Sequence, residues 1–188
     1  CMRQRREDVL RRDEMDGMME KAAGMRNGAR LQCIMALLWL FGKRVSEVVP
    51  VRKEDVWTDE RYFYGRFIVR RKRRRQTPAV AERYLKKIRL DHPYVQRHVL
   101  PYLSTLPEKG YIFPSYSAGG HITPRRVEQM IKQINPNAWP HLFRHSLATL
   151  MAEQGATEDE LMDWFDWDSS GGAHGYVRRA AVSYTHLR

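Results

Sequence analysis

The chain has 188 residues, of which 43% are hydrophobic, and a formal net charge of +11. That is enough for one sizeable core and too little for two comfortable domains, and the excess of cations calls for a polyanionic partner, nucleic acid or an anionic membrane surface. A membrane role and export are both disfavoured: the longest apolar run, residues 34–41, is far shorter than a bilayer span, the charged N-terminus leads into no apolar stretch, and two cysteines, Cys1 and Cys33, are too few for a disulfide framework. A cytoplasmic location is therefore expected.

Residues 1–8 are polar and basic and do not begin with Met, so they are expected to be the end of an interdomain linker in a longer protein. Apolar residues then recur at helical spacing from Val9 to Ala23, until Gly24 and the Asn27-Gly28 pair break the pattern. Residues 29–41 predict an apolar helix at the centre of the core, holding Cys33 as a reduced thiol, with Gly42 as its C-cap. Ser46 is expected to cap a short helix that Pro50 ends. Segments 62–69 and 76–80 predict strands. Between and within them, seven of the ten residues from Arg66 to Arg75 are Arg or Lys, which predicts a basic hairpin. Helical pattern returns at 79–89 and 93–105.

Further on, residues 111–114 predict a short buried segment followed by a loop over 115–120. Thr123 should cap a helix through Ile134. Pro140 suits the first turn of a helix carrying His141, Arg144 and His145 and ending near Gly155. Thr157 and Glu160 form a capping box for the next helix. Residues 168–172 predict a loop, with Tyr176 on the helix after it. The fold class expected is α+β, mainly helical, with a small antiparallel sheet. The last eight residues, 181–188, resemble a translated sequencing-adapter read-through and are set aside as a non-native tail.

Breaking a phosphodiester requires a nucleophile, charge stabilisation at the non-bridging oxygens and a proton for the leaving oxygen. Arginine suits the oxygens because its planar fork binds them in pairs and stays charged. Histidine and an indole N–H add donors, and a tyrosine attached to phosphorus preserves the bond energy in a covalent intermediate. All of these side chains occur here at a suggestive spacing. Arg44 stands in Gly42-Lys43-Arg44-Val45-Ser46-Glu47, and His141 and Arg144 stand in His141-Leu142-Phe143-Arg144-His145. Trp167 lies 26 residues after His141, and Tyr176 nine after Trp167. His141 and His145, four residues apart, also have the spacing of a metal pair. No Glu follows His141 in the zincin manner, and Arg144 would oppose a cation, so no metal and no cofactor are expected.

In this order and spacing the chain resembles the catalytic domain of the tyrosine recombinases, the phage-integrase and Xer-type enzymes. The likeness runs from about Val9 to Ala180 and includes the segment 111–114. It implies a three-stranded sheet beside the site, with Tyr176 forming a 3′-phosphotyrosyl link and Arg44, Arg144, His141 and Trp167 holding the phosphate. It also implies a general-acid lysine on the hairpin. Lys72 is the one lysine there and takes that assignment, although the family register points to the position of Arg70. Arg70, Arg71, Arg73, Arg74 and Arg75 are expected to grip the backbone of double-stranded DNA, and binding should weaken steeply with salt. His145, Glu47 and Asp55 are expected to support the site.

The resemblance further implies an N-terminal core-binding domain, absent from these 188 residues, and a tetrameric synapse on DNA for the full-length protein. Two departures stand out. Asp166 replaces the usual glycine before the third box, and Gly171-Gly172 replace commoner polar residues before the tyrosine. Two other functions remain open at this point: a type IB topoisomerase using related chemistry, and a DNA-binding homologue with an inactive site.

Overall fold

The computed structural model describes residues 8–70, 81–117 and 119–186. Helix α1 (Arg12–Ala23) packs its Met15, Met18, Met19 and Ala22 face on α2 (Gly28–Phe41). The turn between them admits only glycine at 28, because a Cβ there would lie 2.0 Å from the Ala22 carbonyl oxygen. Helix α2 is apolar on nearly every side and is correspondingly buried on nearly every side, from Ile34 through Phe41 without a break. It ends at Gly42 in the left-handed region, as expected (φ +63). The short α3 (Val45–Val48) follows. Its N-cap position is Arg44 rather than Ser46, which lies inside the helix, and the Glu47 side chain reaches back to accept from the Arg44 backbone N–H at 2.9 Å.

The sheet has the antiparallel order β1 (Val56–Thr58), β2 (Tyr62–Arg70), β3 (Ala81–Arg89). On β2, Phe63, Phe67 and Val69 face the core, and Phe41 of α2 meets Phe63 and Phe67 at ring separations of 6.0 and 5.0 Å. β1 was not visible in the sequence, being only three residues long. The helix expected over 79–89 is instead strand β3 in its described part, paired residue by residue with β2 from Arg70↔Ala81 to Tyr62↔Arg89. The alternation is disguised because the inward position 86 holds a lysine, while Leu85 on the outer face is 53% exposed. The strand expected at 76–80 lies outside the described residues.

A π-helical turn (Val95–Val99) leads into α4 (Leu100–Leu103). Ile112 and Phe113 are fully buried, as their pattern predicts. Thr123 caps α5 (Pro124–Ile134), Pro140 opens α6 (Pro140–Glu153), and the Thr157–Glu160 box caps α7 (Glu158–Phe165). Helix α8 (Ser170–His186) then packs on α6 and α7. Gly171 and Gly172 belong to its first turn and not to a loop, which corrects the expectation for 168–172.

Two apolar clusters result. The large one surrounds α2 and reaches from Leu10 to Phe143. The smaller one, Ala148, Ala152, Leu161, Phe165 and Ala173, seats α8. Mainly helical with one small antiparallel sheet, the molecule has the α+β class that its patterning implies.

Candidate active site

Arg144 faces inward from α6 and is 3% exposed. Its guanidinium donates to the Gly42 carbonyl at 2.7 Å and to the Phe165 carbonyl at 3.1 Å, and lies 4.9 Å from the Phe165 ring centroid and 5.8 Å from that of Trp167. Burial, with Arg44 as the next cause, brings its pKa down to about 10, so it remains charged at neutral pH. Gly42 is placed by its backbone: a Cβ there would press on Phe165 at 2.6 Å and Leu147 at 2.7 Å.

Arg44 enters from the start of α3 with half of its side chain open to solvent. Its guanidinium lies 3.7 Å from the buried Glu47 carboxylate. Glu47 thus touches both the backbone and the side chain of Arg44. Asp55 instead accepts from the Arg52 backbone N–H at 3.2 Å and lies 4.0 Å from Arg66. His141 stands in the first turn of α6, exposed as a residue. Partial desolvation of its ring, then the charges of Arg144 and Arg44, hold its pKa below the usual histidine range. Arg144 and Arg44 thus both stand near enough to His141 to oppose its protonation, an arrangement suited to an anion among them.

Tyr176 looks out from α8. Its ring stacks on Trp167 at 5.8 Å with an interplanar angle of 7°, and Trp167 in turn stacks on Phe165 at 4.9 Å. The Arg179 guanidinium lies 4.8 Å from the Tyr176 ring centroid. The phenol oxygen and His145 Nδ1 share a hydrogen bond of 2.7 Å, so His145 contacts the tyrosine itself. Burial raises the Tyr176 pKa, against the pull of Arg179 and Arg144. Beside it opens a cleft of ≈ 500 Å³ whose lining includes His145, Gly171, Gly172, Tyr176 and Arg179.

Five sequence-predicted residues thus come together from α3, α6, the α7–α8 junction and α8: Arg44, His141, Arg144, Trp167 and Tyr176. Lys72, Arg71, Arg73, Arg74 and Arg75 lie outside the described residues. Arg70 closes β2, paired with Ala81. Asp166 does not confront the site as a bare carboxylate. It takes the left-handed C-cap position of α7 (φ +57) and is ion-paired to Lys43 at 2.5 Å and Lys86 at 3.1 Å. Those two lysines escaped the sequence reading. The one available signal was Lys43 directly after a helix-ending glycine at the edge of the most apolar segment; Lys86 was hidden by the misread strand.

The model of the phage integrase family matches residues 8–182. The chain is 27% identical over 157 residues to tyrosine recombinase XerD of Caulobacter vibrioides, covering 79% of this chain and 50% of that protein. To XerD of Rickettsia bellii it is 25% identical over 167 residues, covering 79% and 52%. The chain thus spans about half the length of the curated relatives it matches. Among solved structures, its fold is similar to XerH site-specific recombinase bound to palindromic difH substrate, with a TM-score of 0.72 at 12% identity over 97% of this chain and 53% of that one. It is also similar to the Tn1549 transposon integrase in complex with circular intermediate DNA, with a TM-score of 0.68 at 13% identity over 96% and 66%. XerA recombinase gives a TM-score of 0.64 at 19% identity over 96% and 65%.

Proposed function

The chain belongs to the phage integrase family, and from that premise we propose that residues 9–180 are the catalytic domain of a site-specific DNA recombinase. Tyr176 attacks the scissile phosphate in double-stranded DNA, forms a 3′-phosphotyrosyl link and releases a 5′ hydroxyl; rejoining reverses the step. Arg144, fixed from behind by two carbonyls, and Arg44, free at its outer face, clamp the non-bridging oxygens. His141 and the Trp167 indole supply further donors. The reaction uses no metal. Of the carboxylates that act on Arg144, Glu47 faces Arg44, and Asp166 is held by Lys43 and Lys86.

Lys72 protonates the leaving oxygen. Lys86, a described lysine of the adjoining strand, is unsuited to that task because Asp166 and the Asp163 carbonyl hold its ammonium. The basic hairpin grips the duplex, and full strand exchange takes place in a tetramer of the complete protein.

The observation that carries this reading is the convergence of Arg144, Trp167 and Tyr176, the Trp167 ring lying 5.8 Å from the Arg144 guanidinium and stacking at 5.8 Å on the Tyr176 ring, with Arg44 entering from the start of α3. The test uses a pool of random-sequence duplexes, each nicked so that cleavage cannot be reversed. The purified chain should form an SDS-resistant protein–DNA adduct, and sequencing the trapped DNA would reveal the site. A Tyr176→Phe protein should form none. Adduct formation by that variant, or its absence with the wild type across the pool, would refute the assignment. Relaxation of supercoiled plasmid by the protein alone, without synapsis, would instead favour a topoisomerase.

A further inference from the structure

Lys43, Asp166 and Lys86 are buried together, with side chains 1%, 4% and 8% exposed. The Lys43 ammonium donates to Asp166 Oδ2 at 2.5 Å and to the Trp164 carbonyl at 3.1 Å. The Lys86 ammonium meets Asp166 Oδ1 at 3.1 Å and donates to the Asp163 carbonyl at 2.6 Å. Each ammonium therefore bonds both to the carboxylate and to a carbonyl of the last turn of α7.

The two carbonyls that hold Arg144 belong to the residues just before this group, Gly42 before Lys43 and Phe165 before Asp166. The Trp164 indole donates to the Phe41 carbonyl at 3.0 Å, closing the same seam one residue further on. Segments 41–43 and 163–166 are thus fastened to each other immediately beside the guanidinium, and Lys86 ties strand β3 to the same point.

Stability alone does not call for such a group. Removing three charges from water is costly, and apolar side chains of similar volume commonly do as well or better. What ions with several directed hydrogen bonds do provide is a fixed separation between the segments they join. We propose that Lys43, Asp166 and Lys86 are positioning residues for Arg144: they set the spacing of the Gly42 and Phe165 carbonyls, and so the aim of the guanidinium at the scissile phosphate. The catalytic part of this inference rests on the function proposed above. The positional part does not.

The test compares wild type, Asp166→Asn, and a neutral triple variant, Lys43→Met/Asp166→Asn/Lys86→Met. Two readouts are taken on each folded protein. The first is the nitrogen–proton spectrum of the Arg144 guanidinium, identified by its loss in Arg144→Lys. A doubly held group rotates slowly and gives resolved signals away from the free-arginine position. The second is the single-turnover rate of adduct formation on the trapped nicked duplex, at saturating DNA and at half-saturation.

In Asp166→Asn the Arg144 signals should collapse toward the free-arginine position. The saturating rate should fall about 100-fold, the scale expected for roughly 1 Å of misplacement, while the half-saturating DNA concentration moves less than about twofold. The triple variant should melt no lower than wild type yet remain slow. Unchanged Arg144 signals in Asp166→Asn, or a wild-type rate in the triple variant, would overturn the proposal. If Asp166→Asn does not fold, Lys86→Gln, which keeps the Lys43 pair, takes its place with the same expectations. If wild type forms no adduct, the proposed function fails and the Arg144 spectrum alone decides this inference.

Discussion

Helices α2 and α8 carry the two halves of the proposed chemistry on very different foundations. From Ile34 to Phe41 every residue of α2 is buried, and the helix delivers Gly42, whose carbonyl fixes Arg144, and then Arg44. Helix α8 is longer, yet among its described side chains only Ala173 is fully buried; Tyr176 and Val177 are half-covered, and Gly171, Gly172 and His174 are exposed. The proposed phosphate clamp is thus built into the main core, while the proposed nucleophile rides on a helix seated against a handful of small side chains. Because local stability follows buried apolar contact, the clamp should open only with global unfolding, and α8 should open well before it.

The sharpest cut through this comparison is Tyr176→Phe. It should abolish the DNA adduct while leaving the thermal melt almost unchanged, since the ring stack on Trp167 survives and only the hydrogen bond to His145 is lost. Next in size is the contrast between Phe41→Ala and Val177→Ala. The first should cost about 3–5 kcal/mol by denaturant unfolding. The second should cost far less and act locally, so that hydrogen exchange quickens in α8 while α2 keeps its protection. If both amide sets exchange together in the wild type, the two helices share one cooperative unit and the contrast is broken.

Arg44→Ala should slow adduct formation about 10²- to 10³-fold, as loss of one charge-stabilising donor does, with little change in melting, because half of its side chain is in solvent. Gly171→Ala and Gly172→Ala test the foundation of α8 directly. An added Cβ meets nothing within 4 Å at 171 and only the Trp167 ring at 4.0 Å at 172. Each should therefore stabilise the helix by about 0.4–1 kcal/mol, seen as slower exchange of its amides. A slower adduct rate in the same variants would mean that α8 must loosen for Tyr176 to reach phosphate.

The smallest effect concerns Glu153, whose carboxylate is held below the usual range by its hydrogen bond to Arg11 at 2.9 Å. A depressed folded-state pKa contributes stability that is present above the unfolded carboxylate range and lost as pH falls through the folded value. Glu153→Gln should thus flatten the acid side of the stability curve by under about 1 kcal/mol, given the exposure of both partners.

The difference between the two regions also explains what could be read from the sequence. Helix α2, the caps at Thr123 and Thr157 and the first turn at Pro140 are local signals, and local chemistry decided them. The proximity of the five candidate residues was legible because a resemblance supplied the long-range closeness that spacing alone does not give. Strand β3 failed because its inward residue is Lys86, whose partner, Asp166, lies 80 positions away in the chain. Asp166 looked like a fault in the site for the same reason: its meaning depends on Lys43 and Lys86, and no window along the sequence contains all three. Gly171 and Gly172 looked like a loop by composition and form a helical turn because α6 and α7 provide the seat.

The Lys43–Asp166–Lys86 group also constrains how this sequence can drift. Replacing Asp166 by a neutral residue strands two buried ammonium groups, a loss of about 3–5 kcal/mol for a broken buried pair, which is much of a small domain's stability; replacing one lysine leaves the other pair intact. Replacing all of them together need cost no stability, although it would free the Arg144 carbonyls from their fixed spacing. Asp166 is therefore the lock on the substitution path: it cannot be neutralised before the lysines without stranding them, and once one lysine has gone the remaining Lys–Asp pair must change almost together, in segments far apart in the gene.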